Sequence, residues 1–351
     1  MNVMLKTVFP AFSIAAVLTC QAPEAKAEDS NHTAVGFFNS GVTCVGNGDY
    51  DHAIDEFSQA IRLKPGFNEA FYERGLAHIQ KGEYFSASAD FSQAIQLKPD
   101  YVLAFYNRGL AYAKIGDPDL AIDDFGQAIQ LNPDFSEAFN KRGVAYIRKR
   151  DYDRAIDNFN QAIRLKPDLT EAFNNRGVAY MGKADYDRAI EDFDQAIRLK
   201  PNYTDAFRFR GDVYSRKGDY DRAIEDFGQA IRLRPDDAVT FNNRCWARAL
   251  ANKELEVALS DCNESLRIKP NVPGTLDSRG FVFFRMGQLD RALADYDAAL
   301  GINPQLAASL YARGLVKRRT GDAQGGDADI AAAKAKDPKI SERFAGYGLA
   351  P

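Results

Sequence analysis

Apolar and small residues recur along this chain at helical spacing. Between residues 170 and 204, Phe173, Gly177 and Tyr180 stand four and three positions apart, and Ala189, Phe193 and Ala196 do so again. That spacing places each trio on one face of an amphipathic helix. The pattern breaks between them at Lys183-Ala184-Asp185-Tyr186, and the equivalent breaks read Gly82-Glu83-Tyr84, Gly116-Asp117-Pro118 and Gly218-Asp219-Tyr220. Glycine ends a helix there because it takes the left-handed conformation without a steric penalty. The second helix runs into a proline, which lacks an N–H donor and clashes with a continuing turn. Each stretch thus predicts a helix-turn-helix hairpin of about 34 residues.

The hairpin is repeated along most of the chain. Pro65, Pro99, Pro133, Pro167, Pro201 and Pro235 are 34 residues apart, Pro270 follows after 35, and Pro304 and Pro338 return to 34. Small residues such as Gly75, Gly109, Gly143, Gly177 and Gly211 on first helices, with Ala87, Ala121, Ala155, Ala189 and Ala223 on second helices, let the paired helices approach closely. Phe91, Phe125, Phe159, Phe193 and Phe227 are predicted to fill the gaps between them. One hairpin cannot bury such a face alone, so neighbours must stack.

Phe173, Gly177, Tyr180, Ala189, Phe193, Ala196 and Pro201, in their spacing, resemble the tetratricopeptide repeat signature. The resemblance implies an all-α fold, a right-handed α-solenoid of nine helix-turn-helix units with first helices lining a concave groove. The units are expected at 34–67, 68–101, 102–135, 136–169, 170–203, 204–237, 238–272, 273–306 and 307–340. Residues 341–351 would follow as a capping helix and tail, with Phe344 covering the last apolar face. The seventh unit departs from the pattern by one extra residue and by Cys245 and Cys262 at positions otherwise used for close packing.

The first residues read differently. Lys6, an apolar run from Val8 to Leu18 and the small-residue exit Ala25-Lys26-Ala27 predict a cleaved signal peptide over 1–27 and a short polar leader over 28–33. The run is too short to span a bilayer. A periplasmic or secreted protein is expected; Cys20 offers the rival of a lipid anchor, against which stands the lack of a small residue before it. In an oxidising compartment Cys245 and Cys262, on facing helices, become a disulfide candidate.

Composition narrows the function. Hydrophobic content of 45% with 27% charged residues describes a well-packed globular chain. A formal charge of -4, from 45 basic and 49 acidic residues, argues against nucleic acid as the main partner, since phosphate neutralisation needs a basic face, and leaves room only for a local basic strip. Three histidines, and no H-E-x-x-H, G-x-S-x-G or phosphate-cradling glycine loop, leave no catalytic residue, metal site or cofactor to name. Acids such as Asp185, Asp187 and Glu191 recur in many units and read as helix-turn decoration, since catalysis needs a unique, desolvated constellation.

Two charged columns run through the array. Arg74, Arg108, Arg142, Arg176, Arg210, Arg244, Arg279 and Arg313 form one; Asp90, Asp124, Asp192, Asp226, Asp261, Asp295 and Asp329 form the other, with Asn158 the exception. Charge at a packing face is retained mainly when paired, so each arginine is expected to meet the acid of the preceding unit, as Glu56 would meet Arg74. Function is then expected at the positions that vary. On the inner faces implied by the resemblance these are Tyr72, Tyr106, Asn107, Asn140, Lys141, Asn174, Asn175, Arg208, Asn242, Asn243 and Trp246, exposed and suited to an extended peptide, since amides both donate and accept. The expected activity is non-catalytic binding of a protein or peptide. The alternatives are an accessory subunit of an envelope enzyme or assembly complex and a glycan-binding surface around Tyr72, Tyr106 and Trp246.

Overall fold

In a computed structural model of the chain, residues 33–349 are described. The signal-peptide and Cys20 expectations fall outside them. The described residues form nineteen α-helices and no strand. The described residues divide into two compact units, one ending at residue 145 and the other beginning at residue 146.

The first unit contains α1 (Ala34–Gly46), α2 (Tyr50–Leu63), α3 (Asn68–Lys81), α4 (Tyr84–Leu97), α5 (Val102–Ile115), α6 (Pro118–Leu131) and most of α7 (Ser136–Arg148). Helices pair in sequence order, α1 with α2, α3 with α4 and α5 with α6, and each pair stacks on the next through α2 against α3 and α4 against α5. The second unit repeats the scheme. It holds α8 (Tyr152–Leu165), α9 (Thr170–Gly182), α10 (Tyr186–Leu199), α11 (Thr204–Arg216), α12 (Tyr220–Leu233), α13 (Ala238–Ala251), α14 (Leu255–Ile268), α15 (Pro273–Arg285), α16 (Leu289–Ile302), α17 (Ala307–Arg319), α18 (Ala323–Lys336) and the seven-residue α19 (Ile340–Gly346).

In six hairpins one ring is inserted against one glycine. A methyl group at Gly177 would lie 2.7 Å from the Phe193 ring, and one at Gly75 would lie 2.8 Å from Phe91. The same contact joins Gly41 to Phe57, Gly109 to Phe125, Gly211 to Phe227 and, with tyrosine in the ring position, Gly280 to Tyr296. Alanines at Ala87, Ala121, Ala189 and Ala223 are fully buried beside these rings.

The turns between paired helices reuse one device. An aspartate caps the second helix, as Asp185 does by accepting from the Arg188 backbone N–H at 3.3 Å. Asp49, Asp117, Asp151 and Asp219 cap in the same way. The Arg188 side chain and this cap hold the Asp185 carboxyl below its usual range. The acids of the turn are therefore structural caps. The residue before the cap is left-handed, and glycine supplies it at Gly82, Gly116 and Gly218, but Arg150 and Ala184 adopt φ 59 with a side chain in place. Left-handed backbone costs a residue with a Cβ about 1–2 kcal/mol. Ala184→Gly is expected to stabilise the chain by about 0.5–1 kcal/mol, checked by the midpoint of urea denaturation.

The charged columns pair differently from the sequence-based expectation. Arg74 binds Asp90 of its own hairpin, Nη2 to Oδ1 at 2.6 Å and Nε to Oδ2 at 2.9 Å. Arg108 with Asp124, Arg176 with Asp192, Arg210 with Asp226, Arg279 with Asp295 and Arg313 with Asp329 follow suit. It is the third guanidinium nitrogen that reaches the preceding hairpin, from Arg74 Nη1 to Ser58, Arg108 Nη1 to Ser92 and Arg176 Nη1 to Asn160. Arg74 thus reaches back to Ser58, and the acid it binds is Asp90 rather than Glu56. Arg74, Arg108 and Arg176 each clamp their own two helices and pin them to the neighbour, a fork that guanidinium geometry permits and a lysine would not.

Candidate functional site

The first helices carry the residues expected to bind. In the first unit, Tyr72 and Tyr106 are committed to packing. The Tyr72 ring lies 5.7 Å from Phe91 of its own hairpin and 4.8 Å from Tyr101 at the entry to the next; Tyr106 lies 5.7 Å from Phe125 and 4.8 Å from Phe135. The Asn107 amide donates to the Tyr72 hydroxyl at 3.0 Å and to the Leu103 carbonyl at 2.9 Å. Tyr72 is 9% exposed, and Asn140 on α7 is 4% exposed, while Lys141 is half-buried. These aromatics are spent on stacking one hairpin on the next, which corrects the expectation of exposed anchors.

In the second unit the corresponding surface is polar. Asn174 on α9 is 4% exposed, against the expectation, and its Nδ2 lies 3.4 Å from Asn175 Oδ1. Its Oδ1 is buried without a hydrogen-bond donor, as is Asn242 Oδ1 on α13. A buried acceptor left unmet costs about 1–3 kcal/mol. On α11, between these helices in sequence order, Arg208 lies over the Phe209 ring at 4.1 Å. It faces Asp205 at 3.6 Å and Asp212 at 3.9 Å. At those distances the attraction is coulombic rather than hydrogen-bonded, so the N–H groups of Arg208 are still available to a ligand.

Asp212 was not singled out by the sequence reading, although its signal was there. Its column holds Leu76, Leu110, Val144 and Val178 elsewhere, and a carboxylate interrupts it. Asn243 Nδ2 donates to Asp212 Oδ1 at 2.8 Å, so Arg208, Asp212 and Asn243 form one polar group across α11 and α13. Burial pushes the Asp212 carboxyl up from 3.8 to about 6, the nearby arginines only partly opposing it. Asp277 on α15, which accepts from Ser309, is likewise pushed by burial to about 6. A folded-state value above the unfolded one means that folding favours the protonated form. The stabilising contribution is then present below the unfolded value and lost as pH rises through about 6. Asp212→Asn is expected to gain about 1–2 kcal/mol on the wild-type chain between pH 4.5 and pH 7, measured by urea denaturation at both.

The seventh hairpin holds the disulfide candidate. Cys245 on α13 and Cys262 on α14 are bonded at 2.03 Å, with Cα atoms 5.5 Å apart, and no described cysteine is a free thiol. The sequence separation of 17 closes a loop for which cross-linking contributes about 2–3 kcal/mol. Non-reducing peptide mapping is expected to recover both cysteines in one linked peptide, and reduction to lower the denaturation midpoint accordingly. Trp246, the neighbouring residue, is half-buried against Phe281 at 4.9 Å and Tyr347 at 5.8 Å. It is covered from within the chain rather than open.

Family profiles match most of the array. Profiles described as tetratricopeptide repeat match residues 102–135, 174–238 and 275–306, and one described as TPR repeat matches 43–82, 75–116 and 145–183. Together they cover more than half of the chain. The chain belongs to the tetratricopeptide repeat family. It is therefore a protein-interaction repeat protein, whose stacked hairpins form a solenoid within each unit. Among proteins of curated function none matches it. Among solved structures, a tetratricopeptide repeat protein from Parabacteroides merdae is 20% identical with a TM-score of 0.59, over 71% of this chain and 98% of that one. The PilF protein of Pseudomonas aeruginosa is 18% identical with a TM-score of 0.52, over 59% and 94%. A chain of the APC/C hetero-tetramer Cut9–Hcn1 is 12% identical with a TM-score of 0.59, over 90% and 75%. Likeness at these identities speaks to the tetratricopeptide fold alone. No helix of the described residues is long and apolar enough to cross a membrane.

Proposed function

We propose that this tetratricopeptide repeat protein is an exported, non-catalytic scaffold that binds an extended peptide segment along the first helices of its second unit. The observation that carries the reading is Arg208, with available N–H donors, set beside Asp212 and Asn243 in one polar group across α11 and α13. A peptide backbone offers both complements: its N–H groups meet amide oxygens, and its carbonyls or an acidic side chain meet the guanidinium. Export rests on the amino-acid sequence of residues 1–27, and it would place the Cys245–Cys262 bridge in a compartment where such bonds persist.

The test has two arms. Osmotic-shock fractionation with N-terminal sequencing is expected to find the chain in the periplasm or medium, beginning at Glu28; a cytoplasmic chain that retains residues 1–27 refutes export. Affinity capture from the envelope fraction is expected to lose its main partner with Arg208→Ala combined with Asn242→Ala, at unchanged helix content. An unchanged capture profile refutes the groove assignment.

A further inference from the structure

At the far end of the second unit, the chain binds a piece of itself. Trp246 and Phe281 occupy the column held elsewhere by Val178 and Asp212, and Tyr311 occupies the column of Asn174 and Arg208. These are first-helix positions of the kind proposed above to meet a ligand. Here the segment after Pro338 lies on them. The Phe344 ring is 4.7 Å from Tyr311 and 6.3 Å from Phe281. The Tyr347 ring is 5.8 Å from Trp246 and 6.1 Å from Phe281, and the Arg285 guanidinium donates to the Tyr347 carbonyl. Two aromatic side chains three positions apart on one helical turn therefore fill a seat made of Trp246, Phe281 and Tyr311, with Arg285 fixing the backbone.

The seat is incompletely satisfied. Among the described residues, Arg285 Nε, the Tyr311 hydroxyl and Ser341 Oγ are all buried without a hydrogen-bond partner, and all three belong to this contact or to the turn itself. A permanent cap would be expected to satisfy its buried polar atoms. The turn is also short. Seven residues do not sustain a helix by themselves, so α19 depends on the seat for its structure. Such a segment opens locally far more readily than the array behind it unfolds.

We infer that Trp246, Phe281, Tyr311 and Arg285 form a second binding site, for a partner segment carrying two aromatic residues one helical turn apart, and that residues 340–349 occupy it in cis until displaced. The cis turn lowers the apparent affinity for the partner by the fraction of time the seat is open. The inference extends the groove reading to a different stretch of the array, and it stands whether or not Arg208 and Asn242 bind a peptide.

The probe is a labelled peptide of residues 338–351 and the readout is Trp246, the single tryptophan of the chain. Full-length chain carrying Phe344→Ala and Tyr347→Ala is expected to bind the peptide at least tenfold more tightly than the wild-type chain, and binding is expected to return the tryptophan emission to its wild-type position. A peptide with both aromatics replaced by alanine is expected not to bind. Equal binding of the two peptides, or binding to neither chain, overturns the inference. Because the double variant exposes three rings and can lose its fold, hydrogen exchange on the wild-type chain gives an independent measure. Amides of residues 341–349 are expected to exchange at least a hundredfold faster than those of α17; exchange at the same rate makes the turn an integral part of the array and overturns displacement.

Discussion

Asp192→Ala is expected to destabilise the chain by about 3–5 kcal/mol, measured by urea denaturation followed by far-UV circular dichroism. Asp192 is 4% exposed and binds Arg176 through both carboxylate oxygens, at 2.6 and 2.9 Å. Burial pushes the Asp192 carboxyl above its usual range despite the guanidinium beside it. The same contact holds the Arg176 guanidinium above its usual range, so burial disfavours the aspartate's charge while the pair favours the arginine's. Removing only the acid leaves the Arg176 guanidinium, always charged, between two packed helices with Asn160 as its remaining side-chain acceptor. Two companion variants separate these terms. Asp192→Asn is expected to cost about 1–2 kcal/mol, because an amide oxygen still accepts, and asparagine stands naturally in this column at Asn158. Asp192→Leu combined with Arg176→Met is expected to lie close to the wild type, since replacing both partners leaves no buried charge. A loss below about 1 kcal/mol for Asp192→Ala would make the pair no different from an exposed one.

The same pair shows where sequence reasoning stops. The 34-residue period and the approach of ring to glycine are local facts, and each was visible in the spacing of Gly177 and Phe193; the aspartate caps, as at Asp185, were read only as turn decoration. That the arginine and aspartate columns pair was visible too, although each arginine was expected to meet the preceding unit rather than its own acid, as Arg176 does Asp192. Their assignment to one hairpin rather than two depends on where a long guanidinium points once the helices are packed, and spacing does not encode that direction. The groove suffered in the same way. Asn140 and Asn174 read as exposed because they are polar and variable, yet they sit in the column where Tyr72 packs, and column position decided their burial. Asp212 was legible as a carboxylate in a column that is otherwise apolar at Leu76, Leu110, Val144 and Val178. The contact between Trp246 and Tyr347 joins residues about a hundred positions apart, and no periodic pattern announces it.

Phe193→Ala is expected to cost about 3–5 kcal/mol, a loss comparable to that of breaking the buried pair. Phe193 is fully buried between the helices of its hairpin and lies in a cluster with Tyr180, Ala189, Ala196, Ala206 and Val213. Its removal leaves a cavity that two helices already in close approach have little room to collapse into. The complementary variant acts on the other side of the contact. A methyl group at Gly177 would stand 2.7 Å from the Phe193 ring, closer than carbon atoms tolerate, so Gly177→Ala is expected to cost about 1–3 kcal/mol by forcing the helices apart. The two losses should not add. In the Gly177→Ala, Phe193→Ala double variant the new methyl enters the space the ring vacates, and the combined loss is expected to fall short of the sum by at least 1 kcal/mol. Strict additivity in that cycle would mean that the glycine and the ring act independently, and that the hairpin owes its close approach to its alanines alone. Because neighbouring hairpins stabilise one another, the damage is expected to spread beyond the altered hairpin, and hydrogen exchange should record weakened protection in α8 to α11 before it does so in α15 to α18.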